Sequence, residues 1–217
     1  MIVGTIGTID DLIENLESEK GKIVALRQKK LLKFIEGRTV FEPFTSHARF
    51  VSGAQPPKSE HIYEDKKGYV RFIQNRDYDS DSHLTYIPSS KRNKLCSRED
   101  IMVDKYGEAG TVRYGLSGAY NVALMKVVPV YDYESEYIRD FLAQPTIRSI
   151  LYASSQASTR PSLNESTFTA IKIPVIAKDE LLSYEKAGKD LLMLELGLEK
   201  EIKTSKLIKT VLLSKYF

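Results

Sequence analysis

The chain has 217 residues, of which 42% are hydrophobic, and a net charge of +3, enough for one globular core with extensions or for two small domains. No apolar run approaches the roughly 18–20 residues of a membrane span, and residues 1–7 lack the basic start and long apolar region of a signal peptide. Cys96 is the only cysteine, which argues against an internal disulfide or a cysteine-based zinc site and fits a reducing cytoplasm.

The charge is spread evenly. Residues 1–36 carry six basic and six acidic side chains, residues 37–176 eighteen and sixteen, and residues 177–217 eight and seven. No segment is a basic tail, so nucleic-acid binding would need a local basic surface or a partner's help.

In chain order, Thr8 reads as an N-cap with Asp10 and Asp11 in the first turn. A helix is predicted over residues 8–35. Ile9, Leu12, Leu16, Ile23 and Leu26 recur at helical steps, and Gly37 is the stop. At 1.5 Å per residue it would reach roughly 40 Å, long for a helix inside a small domain. Residues 52–60 form a turn-rich stretch in which Pro56-Pro57 forbids helix and leaves an exposed loop. Residues 69–73 read as a strand, followed by the polar corner Gln74-Asn75-Arg76. Lys91, Arg92, Lys94 and Arg98 make a local basic cluster.

Residues 101–128 read as three short strands, 101–103, 111–114 and 122–128, joined by glycine turns at Gly107, Gly110, Gly115 and Gly118. Lys105, Tyr106, Arg113, Tyr114, Tyr120 and Asn121 lie between them, donors and flat rings suited to phosphates and base edges. A helix is predicted over residues 135–151, kinked or broken at Pro145. A polar loop covers residues 154–164, and a strand of period two covers residues 168–175. The second long helix spans residues 179–216, roughly 57 Å. Its predicted seam is Ala187, Leu191, Leu194, Leu198, Ser205, Ile208 and Leu212, interrupted by Glu201.

Catalytic constellations do not emerge. His47, His61 and His83 are not at ligand spacing and read as solvated loop histidines, so no metal is assigned. The glycines match neither dinucleotide nor P-loop patterns. Gln55-Pro56-Pro57-Lys58 lacks the flanks of an adenine methyltransferase motif, and Glu64-Asp65-Lys66 lacks the upstream acid of a nuclease. No serine has a convincing His and Asp.

Three segments, in order, resemble the target recognition domain of type I restriction-modification specificity subunits. Residues 52–59 followed by 69–78 are similar to that family's glycine-Thr-Pro turn, strand and polar corner. Residues 101–128 are similar to its strand, Tyr-Gly-x-x-Gly turn and apolar strand. Residues 156–159 through 171–174 are similar to its Gly-Ser-Thr loop and closing Ile-Pro strand. The match covers about residues 40–176 and extends to both flanking helices. Ala54 and Ala157 stand where the family often has Gly, and Gln55 where it often has Thr.

The resemblance implies an α+β fold: a strand-rich recognition domain at 38–176, with long spacer helices at 1–37 and 177–217 packed as an antiparallel coiled-coil stalk. It implies a non-catalytic subunit without a cofactor, S-adenosylmethionine belonging to the modification subunit. The implied partners are double-stranded DNA, a methyltransferase subunit and a restriction subunit as a further candidate. Oligomeric readings are a homodimer or half of a two-domain subunit, in the cytoplasm and without a membrane. Candidate DNA contacts are Lys58, Gln74, Asn75, Arg76, Lys91, Arg92, Lys94 and Tyr106. Arg113, Tyr114, Tyr120, Asn121, Gln156, Thr159 and Arg160 complete them. Helix-pairing candidates are Leu12, Leu16, Ile23 and Leu26, with Leu191, Leu194, Leu198, Ile208 and Leu212. The alternatives are a structural or oligomerisation protein that binds another protein through its helices, and the recognition end of a fused type II methyltransferase.

Overall fold

The computed structural model describes residues 2–156 and 162–216. It divides into two compact units, one of residues 1–36 with 186–217 and one of residues 37–185. No helix is long and apolar enough to cross a membrane among the described residues.

The first unit is a helix pair. Helix α1 runs Ile2–Ile35, starting a turn and a half before the predicted cap. Thr8 lies inside it, its hydroxyl donating to the Gly4 carbonyl at 3.0 Å. Ile6 and Ile9 are partly buried on the seam, so packing carries the helix through Gly4 and Gly7 despite their low propensity. Gly37 ends it with φ +72°, a left-handed conformation glycine takes without cost. The partner is the later part of a helix of 39 residues spanning Lys178–Tyr216.

The helices are antiparallel. Moving forward along α1, Asp10, Glu17, Lys20 and Arg27 meet Lys209, Lys206, Glu199 and Gly188 in turn. On α1 the shielded positions include Ile6, Ile9, Ile13, Leu16, Lys20, Ile23, Arg27 and Leu31, an essentially heptad-spaced seam. On the partner they are Gly188, Leu192, Glu195, Leu196, Ile202 and Ser205. Leu16 and Ile23 therefore lie where the sequence put them, but the seam of the second helix is turned from the predicted stripe. Leu194 and Ile208 are exposed at 59% and 48%, as are Leu12 and Leu26 on α1 at 48% and 52%. Leu191, Leu198 and Leu212 are half-buried at its margin. The physical reason is that long polar side chains occupy the seam. Arg27 is buried and donates to the Gly188 carbonyl at 3.0 Å, and Lys20 pairs with Glu199 at 2.8 Å. Their stems cover apolar surface while their heads find partners.

The second unit opens with β1 (Phe41–Pro43), a short 3-10 turn and β2 (Ala48–Ser52). Strands β3 (Tyr69–Ile73), β4 (Tyr86–Pro88), β5 (Leu95–Cys96) and β6 (Ile101–Asp104) follow. Next come β7 (Val112–Arg113), β8 (Gly118–Tyr120) and β9 (Leu124–Pro129). Helices α2 (Ser135–Leu142) and α3 (Pro145–Ser155) come next, separated by the break at Pro145, which starts α3. Strand β10 (Lys172–Pro174) leads into the long helix, α4.

Two four-stranded sheets, ordered β2-β9-β6-β7 and β4-β3-β8-β5, carry the unit, and β1 pairs with β10 separately. The pairing is antiparallel except between β3 and β8. Ile73, Met102, Leu116, Tyr120 and Leu124 form one apolar cluster. Rings of Phe44, Phe50, Phe141 and Phe168 form another, with centroids from 4.3 to 6.2 Å apart in neighbouring pairs.

Two local expectations change. The segment read as turn contains β8, because residues 118–120 slot between β3 and β5. The strand predicted over 168–175 is a 3-10 turn over Glu165–Ala170 and strand only from Lys172. Asn164 starts that turn, its side-chain oxygen accepting from the Thr167 N–H at 3.3 Å.

Candidate nucleic-acid interface

The predicted contact residues fall into places of unequal availability. One is a cleft of about 680 Å³ in the second unit. Its floor is Phe72, Ile87 and Ala119, a small buried cluster where β4, β3 and β8 lie side by side. One wall is the loop after β2. The Gly53 and Ala54 N–H groups donate to the Leu124 and Tyr120 carbonyls, each at 3.1 Å. A Cβ at Gly53 would collide with the Asn121 carbonyl oxygen, so only glycine lets the loop enter this closely. Gln55, Pro56 and Pro57 then form the wall, stiffened by the prolines.

The opposite wall is the turn between β4 and β5. Asn93 closes it through its side-chain oxygen, which accepts from the Ser90 N–H. The Lys94 carbonyl accepts from the Tyr120 N–H at 3.0 Å, which ties the turn to β8. Lys91, Arg92 and Lys94 are exposed on this wall. None of the three forms an ion pair among the described residues, whereas Arg71, Arg113 and Lys126 all do. Glu60 is the one carboxylate among the described lining residues. Lys58, in the turn Lys58–Glu60, is exposed.

Arg76 is exposed and lines a smaller hollow with Tyr63, Ser82, His83 and Leu84. Gln74 and Asn75 beside it are partly buried. The Gln74 N–H donates to the Asp77 carboxylate at 2.9 Å, and the Asn75 side-chain oxygen has no partner among the described residues. Tyr106 stands exposed at a hairpin tip, with the Lys105 ammonium 5.9 Å from its ring centre. Burial lowers the Lys105 pKa, and its ammonium donates to the Ser52 hydroxyl at 3.1 Å. Gln156 is exposed, its amide donating to the Ser155 hydroxyl at 3.2 Å. Thr159 and Arg160 lie outside the described residues.

Four predicted contacts are engaged inside the protein. Arg113 is held by Asp104 at 3.1 Å and by Asp79 and Glu108 at 3.3 Å each. Tyr114 is half-buried beneath the Arg139 guanidinium, 4.9 Å from its ring centre. Tyr120 is only 1% exposed and donates its hydroxyl to the Val51 carbonyl at 3.1 Å; burial pushes its pKa up to about 12. Asn121 is buried and accepts from the Ala123 N–H at 3.1 Å, closing the turn into β9. The glycine-strand segment marks the framework, and these four side chains build it. Gln55 and Tyr63, which were not among the predicted contacts, line the open hollows instead. The available signal for Gln55 was its place before two prolines, on a stiff exposed loop.

Two of the three histidines also differ from expectation, while His83 is exposed. His47 is no solvated loop residue: its ring lies 3.1 Å from Glu134 and 3.2 Å from Glu42. The hydrogen bond to Glu134 is the main cause of its raised pKa. His61 packs on Phe72, ring centres 5.3 Å apart. No group of three or more His, Cys, Asp and Glu could hold a metal among the described residues. The open hollows can present cations, an amide and an apolar floor to an anionic, ring-bearing partner.

No family model matches the sequence, and no curated protein does. Solved structures do match. The type I restriction-modification S subunit from M. genitalium aligns over 100% of this chain and 59% of its own, with TM-score 0.68 and 18% identity. The HsdS subunit from Thermoanaerobacter tengcongensis aligns over 99% of this chain and 55% of its own, with TM-score 0.55 and 14% identity. A chain from a structural study of assembly and conformational transition in the type I R-M system aligns over 99% and 56%, with TM-score 0.55 and 12% identity. The chain thus spans a little over half the length of each of these structures. At such identities the likeness is one of fold, and it runs through the long helices and the strand-rich unit alike. The resemblance first read from three short motifs therefore holds at the level of architecture: this chain has the mixed helix-and-sheet fold of type I restriction-modification S subunits.

Proposed function

We propose that this chain is a sequence-specific DNA-recognition module of a type I restriction-modification system. In this reading residues 38–176 read one half of a bipartite site. The helices at 1–37 and 177–217 act as spacer and dock an adenine methyltransferase subunit. The chain itself is non-catalytic and works in the cytoplasm, the chemistry being supplied by its partner. The observation that carries the reading is the fold likeness over the full chain to S subunits. Lys91, Arg92 and Lys94, exposed together without carboxylate partners among the described residues, support it physically. Cations positioned this way hold phosphates, and an adjoining amide such as Gln55 can address a base edge. Arg76, Lys58, Tyr106 and Gln156 remain candidate contacts on exposed positions.

The deciding measurement is the salt dependence of duplex binding. Each phosphate neutralised contributes about −0.9 to the slope of log K against log salt. A slope of about −3 or steeper is expected, losing about two units when Lys91 and Arg92 are changed to Ala. A flat response overturns the reading. It would favour an oligomerisation protein, the role to which the exposed Met193, Leu194, Leu207 and Ile208 of α4 would then belong.

A further inference from the structure

The cleft is more elaborate than phosphate contacts require. Side chains that hold the backbone of a duplex need only be exposed and basic. Here the cations stand at the rim of a concavity of about 680 Å³ with an apolar floor. That volume lies within the roughly 300–1,000 Å³ of sites that enclose small organic ligands. Pro56 and Pro57, above a floor of Phe72, Ile87 and Ala119 that is itself no more than 2% exposed, offer a surface for a flat ring and nothing for a phosphate. Both walls are pinned by backbone hydrogen bonds to β8 and β9, so the cleft does not depend on a ligand to form.

We propose that this cleft receives one unstacked nucleotide of a DNA strand, its base against Pro56 and Pro57 above the Phe72–Ile87–Ala119 floor and its backbone phosphates against Lys91, Arg92 and Lys94. The inference rests on the DNA-recognition reading and adds a readout to it. An unstacked base loses its neighbours' stacking, and the flat apolar faces of the two prolines replace part of that contact in a sequence-tolerant way. Gln55 and Glu60, on the same lining, supply an amide and an acceptor for the base's polar edge. A strand fits better than a free nucleotide. Three cations along one short turn match successive phosphates, whereas a mononucleotide carries one phosphate and would leave cations unused.

The test uses the full chain and four probes: a labelled mixed-sequence tetradeoxynucleotide, its abasic counterpart, deoxyadenosine monophosphate and inorganic phosphate. Fluorescence anisotropy reads affinity by direct binding and by competition. Backbone amide NMR shifts read location. The expected result is tetranucleotide binding about tenfold or more tighter than the abasic strand. Amide shifts should centre on Phe72, Ala119 and Asn93, and K91A/R92A/K94A should weaken binding at least tenfold. Equal binding of the abasic strand or of inorganic phosphate overturns the proposal, because the ring would then contribute nothing. Deoxyadenosine monophosphate binding as tightly as the tetranucleotide overturns the strand as occupant in favour of a free nucleotide. Shifts centred elsewhere also overturn it. A duplex arm separates the two layers. Duplex binding with a steep salt slope but no tetranucleotide binding sinks the cleft proposal and leaves DNA recognition standing. Loss of both sinks both.

Discussion

Asp104 sits at the end of β6 with 1% of its surface exposed, and one carboxylate oxygen has no partner among the described residues. Arg113 reaches the other oxygen at 3.1 Å, yet burial dominates and pushes the Asp104 pKa up to about 6. The folded protein therefore holds this proton more tightly than the unfolded chain, where an aspartate titrates near 4. The associated stability is fully present below about pH 4 and is lost as pH rises through about 6. A rise of about two pKa units corresponds to at most about 3 kcal/mol. Urea unfolding of wild type and Asp104→Asn between pH 4 and 7 should show the variant gaining on the wild type by up to that amount as pH rises. Parallel curves would mean that Arg113 compensates the charge fully. The same ion-pair cluster explains why Arg113 is a poor candidate for free DNA contact: turning outward would strand a buried carboxylate.

At the scale of elements, the seam of the helix pair separates hydrophobicity from burial. Leu16 on α1 and Ile202 on α4 are buried, while Leu26 and Leu194 are more than half exposed. Truncating buried Leu or Ile to Ala costs roughly 2–5 kcal/mol, whereas an exposed leucine on a helix costs little. Leu16→Ala and Ile202→Ala should each lower unfolding free energy by at least about 2 kcal/mol. Leu26→Ala and Leu194→Ala should stay within about 0.5 kcal/mol. The reverse order in chemical denaturation would restore the seam that the leucine spacing alone suggests.

At the scale of the whole molecule, the exposed leucines become a question of assembly. Leu12 and Leu26 are two heptads apart on α1, as are Leu194 and Ile208 on α4. The antiparallel register set by Lys20 with Glu199 brings Leu12 level with the Ile208 region and Leu26 level with the Leu194 region. If the helices dock a methyltransferase subunit, as proposed above, these exposed apolar side chains are the candidate surface for it. On that reading, Leu194→Glu combined with Ile208→Glu should weaken methyltransferase docking at least tenfold by light scattering. Helical content and unfolding midpoint should stay unchanged. Docking unaffected by this pair would remove these side chains of α4 from the proposed surface.

The existence of both long helices, the stop of the first at Gly37, the break at Pro145 and the strand at residues 69–73 were legible in the sequence. Each rests on local chemistry: periodicity, a left-handed glycine, a proline without an N–H. The three-motif resemblance extended this to the architecture, because motif order tracks topology. Long-range pairing decided the rest. Which stripe of α4 is buried depends on where Arg27, Glu195 and Lys20 find partners, and spacing within one helix carries no information about that. Tyr120 and Asn121 look like loop donors until β8 is seen between β3 and β5, where their side chains turn inward. Gln55 and the basic turn lie some 35 residues apart in sequence, and only the closure of the β4-β3-β8-β5 sheet beneath them makes one cleft of the two. Local propensity is a property of a few neighbouring residues, whereas availability for binding is set by what the rest of the chain buries.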